Sequence, residues 1–235
     1  MPKITENTSL RDEFLEKLRL KYTREREGIH VSGLIYCLRE TFARKYMPLP
    51  LELQSLFYYL DGEQRHSCLQ DLVPNLQIEK EIQADGLIGT MDIYGANAEV
   101  IEIKSTRAKP RAELPPHYIR QGAYYCLLTN QKKFTLCTQH INHGEILFYD
   151  IEFTNEELSD YYVDMIGGRD MLAKAYTEAE LVCAKNQLDL IKRQQLLMFL
   201  FDTLPMCRES MRWKCVSCQF HNLCYIEKEE KVKKK

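Results

Sequence analysis

No apolar run in this sequence approaches the ~18 to 20 residues that a helix needs to cross a bilayer, which argues against a membrane-spanning helix. The opening segment MPKITENTSLRDEF lacks the charged-then-apolar layout of a secretory signal, so the expected location is the cytoplasm and no membrane partner is expected. Neither sign of charge is in excess: 32 Lys and Arg against 34 Asp and Glu leave a net charge of -2 and a pI near 6.3. Any nucleic-acid surface must therefore be a local basic patch offset by acid elsewhere. There is no internal repeat and no long low-complexity stretch, and two full-size domains would be a squeeze in 235 residues. What the chain does have is nine cysteines. An odd number, in a long chain with no export signal, points to metal binding rather than to a disulfide framework.

Periodicity supplies the organisation. After a polar, charge-rich start, Ser32 is the expected N-cap of a helix through GLIYCLRETFARKY that carries Cys37 and is closed by Pro48 and Pro50. A second helix is expected over LELQSLFYYLDGEQRHSCLQDL despite Gly62. The pattern then changes to alternation: LQIEKEIQ, LIGTMDIYG and AEVIEIKS read as an antiparallel meander turned at Asp-Gly and Gly-Ala-Asn. PPHYIRQGAYYCLLTNQ resumes a helical pattern with prolines at its start, and KKFTLCTQH and EILFYDIEF read as two strands around an Asn-His-Gly turn. From Thr154 the chain is helical again, and the tail EKEEKVKKK is expected to be solvated. The expected fold class is α/β, a central mixed sheet flanked by helices. Residues 1–50 would form an N-terminal helical segment, 51–180 the core and 181–235 a C-terminal helical segment with clustered cysteines.

Residues two apart on a strand share a face, so Glu102 and Lys104 point the same way, together with Val100. Pairing of that strand with the preceding one would bring the carboxylate of Asp92 beside Glu102. Hard divalent cations take oxygen ligands, and magnesium keeps one or two protein carboxylates with water and phosphate around them. An adjacent ammonium, Lys104, could orient an attacking water or stabilise the charged transition state of phosphodiester hydrolysis. An acid and a lysine alternating on a solvated strand face is the plainer alternative.

The run GTMD ending at Asp92, the Glu-Ile-Lys at 102–104 and QGAYY from Gln121 together resemble the RecB-like branch of the PD-(D/E)XK nucleases. That resemblance implies that Asp92 and Glu102 bind metal, that Lys104 is catalytic, and that Gln121 and Tyr125 contact DNA. Residues four apart on a helix share a face, which suits the last pair, although Tyr125 in AYYCLL also reads as a core aromatic. The context GEQRH resembles the one in which the family supplies a histidine ligand, here His66, and imidazole suits manganese better than magnesium. Glu63, one turn earlier, reads as a surface acid.

Cys215, Cys218 and Cys224 follow a Cys-x2-Cys-x5-Cys spacing that lets several thiolates face one metal or cluster. The fourth ligand stays open among Cys207, Cys37 and His221, and zinc is the default metal for four thiolates. Cys68, Cys126, Cys137 and Cys183 read as buried small hydrophobes, as does Cys207. One N-terminal cysteine, then nuclease motifs, then a C-terminal trio is an order that resembles the CRISPR-associated RecB-like exonucleases, the fourth protein of the Cas series. That likeness implies an iron-sulfur cluster on Cys37, Cys215, Cys218 and Cys224, four-iron four-sulfur first and two-iron two-sulfur second, serving as a structural staple. It also implies 5' to 3' trimming of single-stranded DNA with magnesium or manganese, and partnership with a CRISPR integrase complex. Arg107, Lys109, Arg111 and Arg120 follow the catalytic strand and are the expected phosphate contacts, with Tyr118, Tyr124 and Tyr125 available to stack bases. A stand-alone repair or viral nuclease and an inactive, cluster-stabilised DNA-binding adaptor are the alternatives.

Overall fold

The computed structural model describes residues 8–23, 26–73, 76–95, 99–111, 113–185, 188–207, 212–215 and 218–224. The expected solvated tail and part of the Gly-Ala-Asn turn lie outside them. Among the described residues, no helix is long and apolar enough to cross a membrane.

Helix α1 (Thr8–Tyr22) is the first element of the described residues, where the sequence pattern gave only a polar start. Phe14 and Leu20 of this helix are exposed, and it docks through Leu18, which is buried with Leu51 and Leu56 beside Tyr22. The single helix expected from Ser32 is in fact two, α2 (Val31–Ile35) and α3 (Leu38–Tyr46). Cys37 lies between them with an extended backbone at φ -151° and occupies the N-cap of α3, while His30 rather than Ser32 occupies the N-cap of α2. The break is tolerated because the Thr41 hydroxyl reaches back to the carbonyls of Gly33 and Cys37, which satisfies acceptors near the break.

Helix α4 (Leu53–Gln70) leads into β1 (Gln77–Ala84), β2 (Leu87–Tyr94) and β3 (Val100–Thr106), the antiparallel meander anticipated from the alternation. Helix α5 (Pro116–Thr129) then carries the chain back to β4 (Lys133–His140), which pairs parallel to β3, and β5 (Glu145–Glu152) closes the order β1-β2-β3-β4-β5. A crossover helix between parallel strands is the βαβ arrangement, so the sheet is mixed. Pro116 starts α5, where its missing N–H costs nothing, and Asn130 in the left-handed region ends it. Gly122 on α5 sits directly over the Phe134 ring: a Cβ there would lie 2.1 Å from a ring carbon.

Helix α6 (Asn155–Ala184) opens on a capping box between Thr154 and Glu157 and is followed by α7 (Leu190–Thr203) and the short α8 (Arg212–Cys215). One apolar cluster runs from Ile29 through α2, α3, the α5 face of the sheet, α6 and α7 to Phe220. The opposite face of β2, β3 and β4 packs Ile93, Ile103 and Cys137 against Leu69 and Val73 from the end of α4 and its loop. Arg39 of α3 ties the two ends of the chain together. Its guanidinium donates to the carbonyls of Leu204 and Asp202 at 2.8 and 3.0 Å and to the Asp202 carboxylate at 3.1 Å.

Candidate metal-binding cleft and cysteine cluster

Strands β2 and β3 hold only two register pairs, Ile93↔Ile101 and Tyr94↔Val100, and then part. Where they part, the Asp92 carboxylate replaces the missing backbone partner: its Oδ2 accepts from the Ile103 N–H at 2.7 Å. At the other end of β2, Ile88 donates to the carbonyl of Ile29, so the 29–30 segment fills the space beside it. Gly28, at φ +74°, makes that approach possible, since a Cβ would meet Ile88 at 2.7 Å. A cleft of about 240 Å³ opens in this gap.

Asp92, Glu102, Lys104, His66, Gln121 and Tyr125 all line it. Glu102 is only 2% exposed, and its Oε1 accepts from Lys104 and, at 2.6 Å, from Gln121. Its Oε2 is buried with no partner. Burial, and then the charge of Asp92, push the Glu102 carboxyl up to about 7 despite the adjacent ammonium. Burial works against the charge on Lys104, but Glu102 outweighs it and holds the ammonium above its ordinary value. His66, on α4, reaches Asp92 Oδ1 at 3.3 Å, and that partner raises the imidazole against the effect of burial. Gln121 also donates to the Tyr125 hydroxyl at 3.0 Å, and Tyr125 donates to the carbonyl of Thr90 at 2.8 Å. Both side chains are therefore buried and brace Glu102 from behind.

Arg26, His30, Ser32 and Glu79 also line the cleft and were not anticipated. They come from a loop, a helix start and a neighbouring strand, with no shared motif to mark them. Glu79 sits at φ +52° opposite Asp92 and accepts from Gln70, which also donates to the Asp92 carbonyl at 2.9 Å.

Besides Gln121 and Tyr125, both expected to contact DNA but buried behind Glu102, three more expected DNA contacts are enclosed by the protein. Tyr124 is fully buried with its hydroxyl donating to Asp164 at 2.7 Å, because its position on α5 faces α6 rather than the cleft. Arg120 is turned the same way, its guanidinium 3.4 Å from Asp164 and largely enclosed. Tyr118 is half-buried beneath Lys104, whose Nζ lies 5.9 Å from the ring centre. Arg107, Lys109 and Arg111 are exposed on the loop leaving β3.

Cys37 and Cys215 come within hydrogen-bonding reach of the same thiol, Cys207, and the contact with Cys207 lowers Cys37 to about 7. Cys218 and Cys224 feel the charge of Cys37, and burial raises both thiols, Cys218 to about 11. Cys207, read from sequence as a small hydrophobe, thus stands in the cysteine group. Cys68 and Cys183, read as buried, are exposed on α4 and at the end of α6, whereas Cys126 and Cys137 are buried as anticipated. Among the described residues, no three His, Cys, Asp or Glu side chains are gathered tightly enough to hold a metal ion as they stand.

The order β1-β2-β3-β4-β5, with α5 crossing between the parallel strands β3 and β4, defines an α/β core flanked by helices, and Asp92, Glu102 and Lys104 line the cleft on it. Among solved structures, the protein SSO0001 is similar in fold, with 23% identity over 68% of this chain and 87% of its own and a TM-score of 0.51. An alkaline exonuclease, LHK-Exo from Laribacter hongkongensis, matches at 12% identity over 74% of this chain and 98% of its own, with a TM-score of 0.46. A phage-related exonuclease from Haemophilus somnus 129PT matches at 12% identity over 47% and 66%, with a TM-score of 0.34. No family model and no curated protein matches the chain.

Proposed function

We propose that this protein is a divalent-metal-dependent deoxyribonuclease whose catalytic groups are Asp92, Glu102 and Lys104. The observation that carries the reading is Glu102 Oε2: a carboxylate oxygen buried in a cleft without a partner, beside a second carboxylate and a lysine. Such an orphaned acceptor fits a cation, and Asp92, Glu102 and His66 form the donor set that would hold it. A bound magnesium or manganese ion would supply charge neutralisation at the scissile phosphate and acidify a water. Lys104 holds its proton firmly and so presents a fixed positive charge where negative charge builds on the phosphate. Gln121 and Tyr125 keep Glu102 in place, the role that residues behind metal ligands commonly have.

The substrate is read as single-stranded DNA trimmed from its 5' end. The support is the order of motifs, one early cysteine, the nuclease set and a late cysteine trio, which resembles the CRISPR-associated RecB-like exonucleases. The same likeness supports a cluster held by Cys37, Cys215, Cys218 and Cys224, in which thiolates are the fitting donors for iron and sulfur. Residues 1–50 and 181–235 would then form one helical module closed by that cluster, and a CRISPR integrase complex would be the partner.

The test is incubation of anaerobically purified protein with end-labelled single-stranded DNA in manganese, magnesium or EDTA, beside Lys104→Ala. Metal-dependent trimming that disappears in the variant is the expected result. Cleavage retained by Lys104→Ala would remove the assignment, and DNA binding with no cleavage by either protein would favour an adaptor.

A further inference from the structure

Resting on the nuclease reading, we infer that Tyr58 and Arg107 form a stacking platform for the single DNA strand outside the cleft. Arg107 lays its guanidinium over the Tyr58 ring, 5.3 Å from the ring centre. Tyr58 is 50% exposed, although an aromatic ring ordinarily gains by burial, and its neighbour Phe57 is exposed to the same degree. The Tyr58 hydroxyl is held by Gln54 at 2.8 Å, so the ring is fixed while it faces water.

Two elements link this pair to the cleft. Tyr58 and His66 lie eight residues apart on α4, about 12 Å along a helix. Arg107 follows Lys104 by three residues at the end of β3, about 10 Å along an extended chain. Both paths leave the cleft by a similar distance and meet at one point. A base a few nucleotides from the scissile phosphate would therefore reach the ring.

The surrounding charge suits a polyanion. Lys109 and Arg111 are exposed on the same loop as Arg107. Asp61 is the acid in reach of Arg107, and it is already paired with Arg65 at 2.9 Å. An aromatic face accepts any unpaired base by stacking, while the guanidinium and lysine hold phosphate without reading sequence. In a duplex the base faces are covered by their neighbours, so this surface favours single strands.

The experiment uses the full chain in EDTA with a fluorescent 12-nucleotide single strand and a duplex of the same length, read by anisotropy. Tyr58→Ala should weaken single-strand binding by about tenfold, as expected for loss of one base stack, with Tyr58→Phe near wild type and duplex binding little changed. Arg107→Gln should lower the salt dependence by about one counterion. With manganese present, Tyr58→Ala should slow trimming of the 12-mer and leave cleavage of a dinucleotide, too short to reach the ring, unchanged. Wild-type affinity of Tyr58→Ala for the single strand, in a protein that still trims DNA, would overturn the platform and leave the nuclease standing. Tyr58-dependent binding without cleavage by the wild type would do the reverse.

Discussion

The Nζ of Lys214 sits 3.9 Å above the ring of Tyr36, and each residue immediately precedes a cysteine of the same group, Cys215 and Cys37. The contact continues inward. Tyr36 meets the His117 ring at 5.6 Å, His117 meets Tyr118 at 4.5 Å, and Tyr118 lies beneath Lys104. A packed line thus joins the cysteine group to the lysine of the cleft, and burial together with the charges of Lys104 and Lys214 lowers His117 to about 4. The imidazole in this line is neutral at physiological pH, which suits its place between two ammonium groups.

Lys214→Met should therefore lower stability and slow cleavage together. It removes the 3.1 Å ion pair with Glu40 and the cation over Tyr36, at a cost of about 1–2 kcal/mol. A urea midpoint shifted at constant m-value is the expected readout. An unchanged midpoint would show that the contact contributes nothing measurable.

Glu40 gives stability a defined acid limb. Burial alone would raise its carboxyl, but Lys214 and Arg44 outweigh burial and hold it below the ordinary glutamate value. A depressed folded value means that the pair's contribution is fully present above the unfolded value near 4.5 and is lost as pH falls through the folded one. Glu40→Gln should cost about 1–2 kcal/mol at pH 7, limited because both cations keep access to water, and progressively less as pH falls through the folded value. Thermal melts of both proteins across pH 2 to 7 would show the gap closing, and a constant gap would contradict the assignment.

Gln121→Leu removes the donor that fixes Glu102 Oε1 at 2.6 Å while keeping a side chain of similar size. The manganese concentration for half-maximal cleavage should rise about 10- to 100-fold, as it does when residues behind metal ligands are lost. If Gln121 instead served only to contact DNA, the variant would weaken DNA binding in EDTA and leave the metal requirement where it was.

Two glycines should respond in opposite directions. Gly122→Ala forces a methyl into the Phe134 ring, with no room on the sheet side of α5, and should cost more than about 3 kcal/mol. Gly62→Ala, in the interior of α4 with nothing within 4 Å of its Cβ position, should stabilise by roughly 1 kcal/mol. Chemical denaturation of the soluble variants, or failure to obtain folded Gly122→Ala, decides both.

The elements from Leu53 to Thr203 were legible because their periods are clear: alternation over β1 to β3, the proline start of α5, and the helical pattern from Thr154. Helix α1 was not, because its apolar residues are interrupted by charged ones and its buried Leu18 packs on Leu51 and Leu56, more than thirty positions on. The break at Cys37 was also hidden, since the residues around it have no helix-breaking proline or turn glycine, and the Thr41 hydroxyl that supports it acts from the next helix. Tyr124 and Arg120 were read as facing DNA because their spacing on α5 does not reveal that α6 covers that side. Arg26, His30 and Ser32 could be assigned to the cleft only after the chain had folded across β2.

By itself the sequence marked the candidate groups: two carboxylates and a lysine on neighbouring strands, and a thiol-rich C-terminal segment. Side-chain alternation in a strand follows from local geometry, so Glu102 and Lys104 had to share a face. Only the tertiary structure decided that β2 and β3 part after two pairs, that Asp92 turns to the Ile103 N–H, and that Glu102 Oε2 is left buried and unpartnered. It likewise brought Cys37 and Cys207, 170 positions apart, into one group. Those relationships depend on how helices and strands distant in sequence pack, and no local period encodes that.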